Sequence, residues 1–220
     1  MSLDAPAVQR LRLDYAKGEP LRFVSHLDML RLWERACRRA RLPIAHTQGF
    51  NPRPRIALAC PLPTGITSRV EKADLFLTMR LDPREVLQRL NAVLPVGVQV
   101  YGVEEVALAG PALMSRAATV DYQAVVRWQG SSASLEAHLQ AWLAQDSVVR
   151  ARERKGQGAT YDLRPLVEHL WIVEQSEGQY IVGMRLKSGP QGTGRPDEVL
   201  KALGLWDSAS GLERTAIVFA

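Results

Sequence analysis

Eight arginines, no lysine and only two acids, Asp28 and Glu34, fall between Arg22 and Arg55, a local balance of +6 in a chain whose whole formal charge is +5. The remainder of the chain is therefore slightly acidic. Cationic side chains gathered this way hold a polyanion, because each phosphate they neutralise releases condensed counterions at modest salt. RNA is the first partner this implies, while a solvated arginine-rich helix face is the plainer reading of the same residues. The phosphate-binding candidates are Arg31, Arg35, Arg38 and Arg39, followed by Arg53 and Arg55.

Residues 47–55 join an aromatic, two carboxamides and two guanidinium groups in a backbone stiffened by Pro52 and Pro54. Phe50 can stack on an unpaired base there, and Gln48 or Asn51 can read a base edge; equally, Asn51 can cap a turn with Phe50 buried. His26, between Ser25 and Asp28, joins Gln48, Phe50 and Asn51 as a candidate pocket. With His46 it is also the candidate acid–base pair of a metal-independent endoribonuclease, in which a 2′-hydroxyl attacks the adjacent phosphate. An imidazole at a helix start also serves to bond a loop backbone. A secondary basic strip is expected from Arg150, Arg152, Arg154 and Lys155, leading to Asp162 and Arg164, whose simplest role is an ion pair holding the loop.

Other chemistry finds no pattern. The four histidines and two cysteines never fall at HxxxH, CxxC or HxE spacing, so no metal site is drawn and no cofactor is expected. Residues 189–194 are glycine-rich but lack the Lys-Ser/Thr of a phosphate loop. Cys37 and Cys60 read as small core residues. No apolar run reaches the roughly 18 residues needed to cross a bilayer, and the first ten residues lack the order of a secretory signal. A cytoplasmic protein follows, without a membrane and without DNA as a partner.

The elements that must carry these residues come from periodicity. Residues 11–15 alternate as a strand, expected to resume at 21–24 after a turn. Ser25 and Asp28 then stand at capping-box spacing. The helix that follows places Met29, Leu32, Trp33, Ala36, Cys37 and Ala40 on one face and the arginines opposite. Prolines and glycines from residue 44 to 65 frame a shaped loop with one short strand, 56–60. A strand over 70–79, a helix from 83 and a strand over 97–106 complete a βαββαβ unit. Residues 109–118 break all periodicity and read as a linker. A second set is expected at 120–128, 134–144, 147–154, 180–187, 196–203 and 214–219, with an insertion at about 155–175. Pro-x-Glu-Val-Leu-x-x-Leu begins at both Pro83 and Pro196, an echo of duplication. The expected fold is α+β: two tandem ferredoxin-like units with antiparallel sheets, at 1–108 and 119–220.

One long motif resembles a known bacterial family. Leu21-Arg22-Phe23-Val24-Ser25-His26-Leu27-Asp28 continues through Glu34-Arg35, Arg38-Arg39-Ala40, Gln48-Gly49-Phe50-Asn51-Pro52 and Pro61-Leu62-Pro63-x-Gly65. With Asp162-Leu163-Arg164-Pro165 and Arg195-Pro196-Asp197-Glu198-Val199-Leu200, it is similar to the radical-SAM-associated domain of unknown function. Members of that family stand behind or beside a radical SAM enzyme with a cobalamin-binding-type domain, so the resemblance implies such a partner. This chain lacks the CxxxCxxC cluster of the enzyme itself. The leading expectation is a non-catalytic accessory that presents a structured RNA, transfer or ribosomal, to a separate radical SAM protein. A protein-only adaptor and the His26 endoribonuclease are the alternatives.

Overall fold

Leu11, Leu13 and Tyr15 alternate with Arg10, Arg12 and Asp14, and a strand sends two such sets to opposite faces. The computed structural model, which describes residues 5–154, 157–176, 178–189 and 192–219, shows this in β1 (Gln9–Lys17). β1 pairs antiparallel with β3 (Thr67–Leu77) and β4 (Val98–Val106), and β2 (Ile56–Leu58) joins β3. The strand order in this unit, residues 1–116, is β4-β1-β3-β2. The helices α1 (His26–Arg39) and α2 (Pro83–Asn91) bury Trp33, Cys37, Val86 and Leu90 against Leu11, Leu13, Leu75 and Val100. Tyr15 meets Trp33 edge-on, with ring centroids 4.9 Å apart.

The opposite face of the sheet is polar yet partly buried. Asp74 has no solvent exposure. It accepts from Arg10 Nη2 at 2.5 Å and from Arg12 Nε at 2.9 Å. A carboxylate removed from water needs such compensation, and two guanidinium groups supply it. Arg10 Nη2 also donates to the Pro111 carbonyl at 3.3 Å, tying the end of the unit to β1.

The second unit, residues 117–220, holds β5 (Ala117–Arg127), α4 (Ser132–Leu143), β6 (Val149–Arg154), β7 (Gln157–Asp162), β8 (Val167–Ser176), β9 (Gln179–Lys187), α5 (Pro196–Ala202) and β10 (Ser210–Phe219). Its sheet runs β10-β5-β9-β8, every pair antiparallel, with β6 and β7 a separate hairpin. Val120, Tyr122, Ala124 and Val126 alternate inward, beside Val182, Met184 and Leu186 and the helix residues Leu135, Leu139 and Trp142. Gly183 is required by Trp171: a Cβ there would stand 2.2 Å from the indole. Among the described residues, no helix is long and apolar enough to cross a membrane.

Three expectations are corrected. Residues 21–24 do not extend the first strand. Pro20 opens a single 3-10 turn, Glu19–Leu21, and the buried Lys17 donates through Nζ to the Val24 carbonyl at 2.9 Å, folding the chain back. The strand expected at 147–154 is not the second strand of its sheet. Alternating arginines leave β6 without an apolar face, and that place belongs to β8, within the segment read as an insertion. Register shifts between Val167 and His169 and between Ile172 and Glu174 break the alternation of β8. The expected linker contains a helical turn, α3 (Leu113–Arg116), whose Leu113 is fully buried, and β5 begins at Ala117.

Removing Asp74 leaves Arg10 buried without its carboxylate. Asp74→Ala is expected to lower the unfolding free energy by about 3–5 kcal/mol, seen as a reduced urea midpoint at neutral pH; an unchanged midpoint would mean the triad carries no stability.

Candidate nucleic-acid interface

The first helix begins as its capping residues require. Ser25 Oγ accepts from the Asp28 backbone N–H at 3.2 Å and donates to Asp28 Oδ2 at 2.7 Å. The Ser25 hydroxyl, and then Arg31, hold the Asp28 carboxyl below the usual carboxylate range. With Met29, Leu32, Trp33, Ala36 and Cys37 buried, Arg31, Arg35, Arg38 and Arg39 are left exposed. Arg31 pairs with Asp28 at 2.9 Å. Among the described residues, no carboxylate lies within ion-pair distance of Arg35, Arg38, Arg39 or Arg53. Arg38 and Arg39 also sit in the last turn, where the helix dipole favours cations.

Beyond the C-cap Ala40, Arg41 adopts φ 53°, a left-handed conformation that closes the helix, with Leu42 N–H donating to the Cys37 carbonyl at 3.0 Å. Glycine is the usual residue there. The exposed Arg41 adds a cation that the sequence reading did not single out, since nothing in its residue type signals a positive φ.

The loop that follows is a narrow turn-back. His46 bridges Pro54, Thr47 N–H donates to the Arg53 carbonyl at 2.8 Å, Arg53 N–H to Thr47 Oγ1 at 3.0 Å, and Arg55 N–H to the Ala45 carbonyl at 2.7 Å. Gln48, Phe50 and Asn51 are carried on its exposed tip, and Phe50 is fully exposed. The Arg55 guanidinium lies over the Phe76 ring, 4.1 Å from its centroid. His46, Thr47, Gln48 and Arg55 line a recess of about 560 Å³ with Ala5–Ala7 and Leu108–Ala109.

His26 is elsewhere. Together with Tyr15, Lys17, Met29, Leu58, Cys60, Leu62 and Glu71 it lines an interior void of about 10 Å³, enough for one water. Its turn is at the Lys17 end of β1, whereas Ala45 N–H bonds the Phe76 carbonyl near Leu77, which pairs with Gln9 at the other end. The nine residues of β1 separate the two ends by roughly 25 Å. The candidate pocket is thus not one cluster, and His26 and His46 do not converge. His138 Nε2 lies 2.9 Å from the Leu203 carbonyl, in a packing role.

The described side chains of the secondary strip, Arg150, Asp162 and Arg164, are engaged in holding their own unit. Arg150 Nε donates to Glu198 at 3.2 Å. Arg164 donates to the Leu143 carbonyl and the Val167 carbonyl, both at 2.8 Å, fastening α4 to β8, instead of pairing with the Asp162 carboxylate. Asp162 accepts from Val148 N–H at 2.8 Å and Arg164 N–H at 3.0 Å, and the first of these is the chief cause that lowers its carboxyl. Lys155 lies outside the described residues, as do the side chains of Arg152 and Arg154. A recess of about 640 Å³ beside the hairpin is lined by Tyr161, Lys187, Arg195, Asp197, Glu198 and Lys201. Of its acids, Asp197 is paired with Arg195 and Glu198 with Lys201. Among the described residues, no three His, Cys, Asp or Glu side chains gather as a metal would require.

Residues 10–196 match the profile of a family described as an uncharacterized protein conserved in bacteria (DUF2344). No curated protein matches the sequence. Among solved structures, the fold is similar to a chain of a Cbf5-Nop10-Gar1 complex, at TM-score 0.50 and 10% identity, over 98% of this chain and 49% of that one. Chains of an H/ACA RNP bound to a substrate RNA containing 2′-deoxyuridine (TM-score 0.47, 11% identity, 95% and 47% coverage) and of an archaeal box H/ACA sRNP Nop10-Cbf5 complex (0.47, 12%, 97% and 49%) resemble it more loosely. The chain spans about half the length of these structures, and at such identity the likeness is one of fold.

Two outcomes follow for α1. Ser25→Ala removes the cap at a cost of about 1 kcal/mol, and in NMR titration the Asp28 carboxyl should move up toward its ordinary range. A depressed carboxyl stabilises the fold at neutral pH and ceases to do so as pH falls through its lowered value, so the variant should show a smaller loss of stability on acidification. Arg41→Gly relieves the left-handed strain and should stabilise by about 1 kcal/mol, read as a higher urea midpoint; a lower midpoint would show that the arginine side chain is bound.

Proposed function

From the premise that this chain belongs to the family of uncharacterized proteins conserved in bacteria (DUF2344), we propose that it is a non-catalytic, RNA-binding accessory of a separate radical SAM enzyme in the cytoplasm, serving RNA modification or metabolism. One observation carries the RNA reading. Among the described residues, Arg35, Arg38 and Arg39 on α1 and Arg53 in the loop after it are exposed with no carboxylate at ion-pair distance, and Arg55 of the same loop is held by stacking. Cations that could have been neutralised locally, as Arg89 is by Glu85 one turn away in α2, are here left available to a polyanion. Structured RNA, transfer or ribosomal, fits a surface that combines this field with the exposed carboxamides of Gln48 and Asn51.

The radical SAM partner rests on the resemblance of residues 21–65, 162–165 and 195–200 to the associated domain. The repeated motif and the strand order support a tandem ferredoxin-like reading, with units at 1–116 and 117–220 in place of the expected 1–108 and 119–220. In each unit the first strand lies between the third and the fourth and the second lies outside the third, and each repeated Pro-x-Glu-Val-Leu-x-x-Leu motif begins the second sheet-packed helix with Pro83 or Pro196 in its first turn. Acid–base cleavage by paired histidines gains no support from imidazoles in separate cavities. A protein-only adaptor is the second reading, favoured by the exposed Leu27 beside the basic face.

Filter binding of transfer and ribosomal RNA against salt tests the proposal. The unaltered chain should show a steep loss of affinity as salt rises. The double variant Arg35→Glu, Arg39→Glu should bind at least about tenfold more weakly, with a salt slope shallower by about two. Affinity indifferent to these reversals, or a flat salt dependence, refutes RNA binding.

A further inference from the structure

Phe23 is 71% exposed, although the turn that carries it is tightly fixed. Lys17 Nζ donates to the carbonyls of Arg22 at 3.3 Å and Val24 at 2.9 Å, and Gly65 N–H donates to the Arg22 carbonyl at 2.8 Å. The Arg22 guanidinium covers one side of the phenyl ring, 4.5 Å from its centroid, while bonding Glu19 at 3.1 Å. Single exposed apolar side chains are ordinary on a protein surface; what distinguishes this ring is the bonded turn that holds it and the guanidinium group packed on one side of it. Phe50 is a second exposed ring, and it stands at the opposite end of α1.

The helix between them has 14 residues, about 21 Å of axis. Along that length Arg31, Arg35, Arg38 and Arg39 are exposed, and Arg41 follows them. The first unit thus presents a cationic track with an aromatic ring at each end. Resting on the RNA-binding reading above, we infer that this track takes an unpaired stretch of RNA laid along α1, with one base stacked on Phe23 and another, several nucleotides away, on Phe50.

The rings select the substrate class. Arginines alone would serve a duplex or a single strand equally, because both present phosphates. A phenyl ring stacks only on a base whose face is open, and in a duplex those faces are covered by neighbouring pairs; unpaired loops and ends leave them available. The pattern also differs from the core of a protein interface, which gathers its apolar anchors into one patch depleted of charge. Here the two anchors are a helix length apart with guanidinium groups between them.

Fluorescence anisotropy with the full chain tests this, using an unstructured RNA strand of roughly 12 nucleotides and the same strand annealed to its complement. Phe23→Ala and Phe50→Ala should each weaken single-strand binding about tenfold, additively in the double variant, while duplex affinity changes little. Phe23→Trp and Phe50→Trp, which keep a stacking face, should retain binding. Equal losses on strand and duplex, or no loss with either alanine variant while Arg35→Glu, Arg39→Glu still weakens binding, overturns the stacking assignment and leaves RNA binding standing. No binding of either RNA by the unaltered chain overturns both.

Discussion

The apolar stripe of α1 has to be buried, and that one contact determines what the rest of the first unit can present. Trp33 has no exposure and meets Tyr15 of β1 edge-on, with Met29, Leu32, Ala36 and Cys37 on the same side. Burial of large side chains is worth about 1.5–3 kcal/mol each, so rotating the helix to hide its arginines would expose several such groups at once. The cationic face is the necessary complement of a stripe that the sheet retains. Burial also pushes the Cys37 thiol up to about 12, which marks it as a packing group without nucleophilic use.

The polar face of the same sheet obeys a related constraint. Alternation sends Arg10, Arg12 and Asp74 away from the apolar core, and Asp74 still ends up fully buried. The guanidinium groups remain charged, so the carboxylate and the Pro111 carbonyl become structural requirements. Arg10 also approaches Phe76, with its Cζ 5.3 Å from the centroid of the ring on which Arg55 stacks. Through that ring the loop that holds Gln48 and Phe50 is joined to the best-buried ion pairs of the unit. Arginine therefore has two roles in this protein, one as a buried fastener and one as an exposed cation, and burial alone separates them.

The two units solve one packing problem with different end chemistry. In α2, Asp82 caps the helix by accepting from Arg84 N–H at 2.7 Å. In α5 the cap position is Arg195, whose guanidinium bonds the Asp197 carboxylate instead, at 3.1 and 2.9 Å. Val86 and Leu90 in one, and Val199 in the other with Leu203 just beyond it, occupy the buried positions that the repeated motif specifies. In the second unit Arg150 and Arg185 pair with Glu198 and Asp121, and Arg164 bonds backbone carbonyls. The first leaves a run of arginines outside.

Local chemistry in the sequence was enough for elements whose residues carry their own instructions. Ser25 and Asp28 announce the start of α1, its 3.6-residue apolar period separates buried from exposed arginines, and Pro83 and Pro196 mark the first turns of α2 and α5. Where long-range pairing decided, the sequence was silent or misleading. β8 is hidden by two register shifts that interrupt its alternation, and β6 alternates well but has no apolar side to bury. Residues 21–24 look extended until the Lys17 ammonium captures their carbonyls. The candidate site divides in the same way. Composition alone identified the arginines and the stiff loop, because charge and proline content do not depend on folding. Only the tertiary structure could separate His26 from Gln48 by the length of β1, engage Arg164 internally, and leave Phe23 and Arg41 exposed, since distance and burial arise from contacts between residues far apart in the chain.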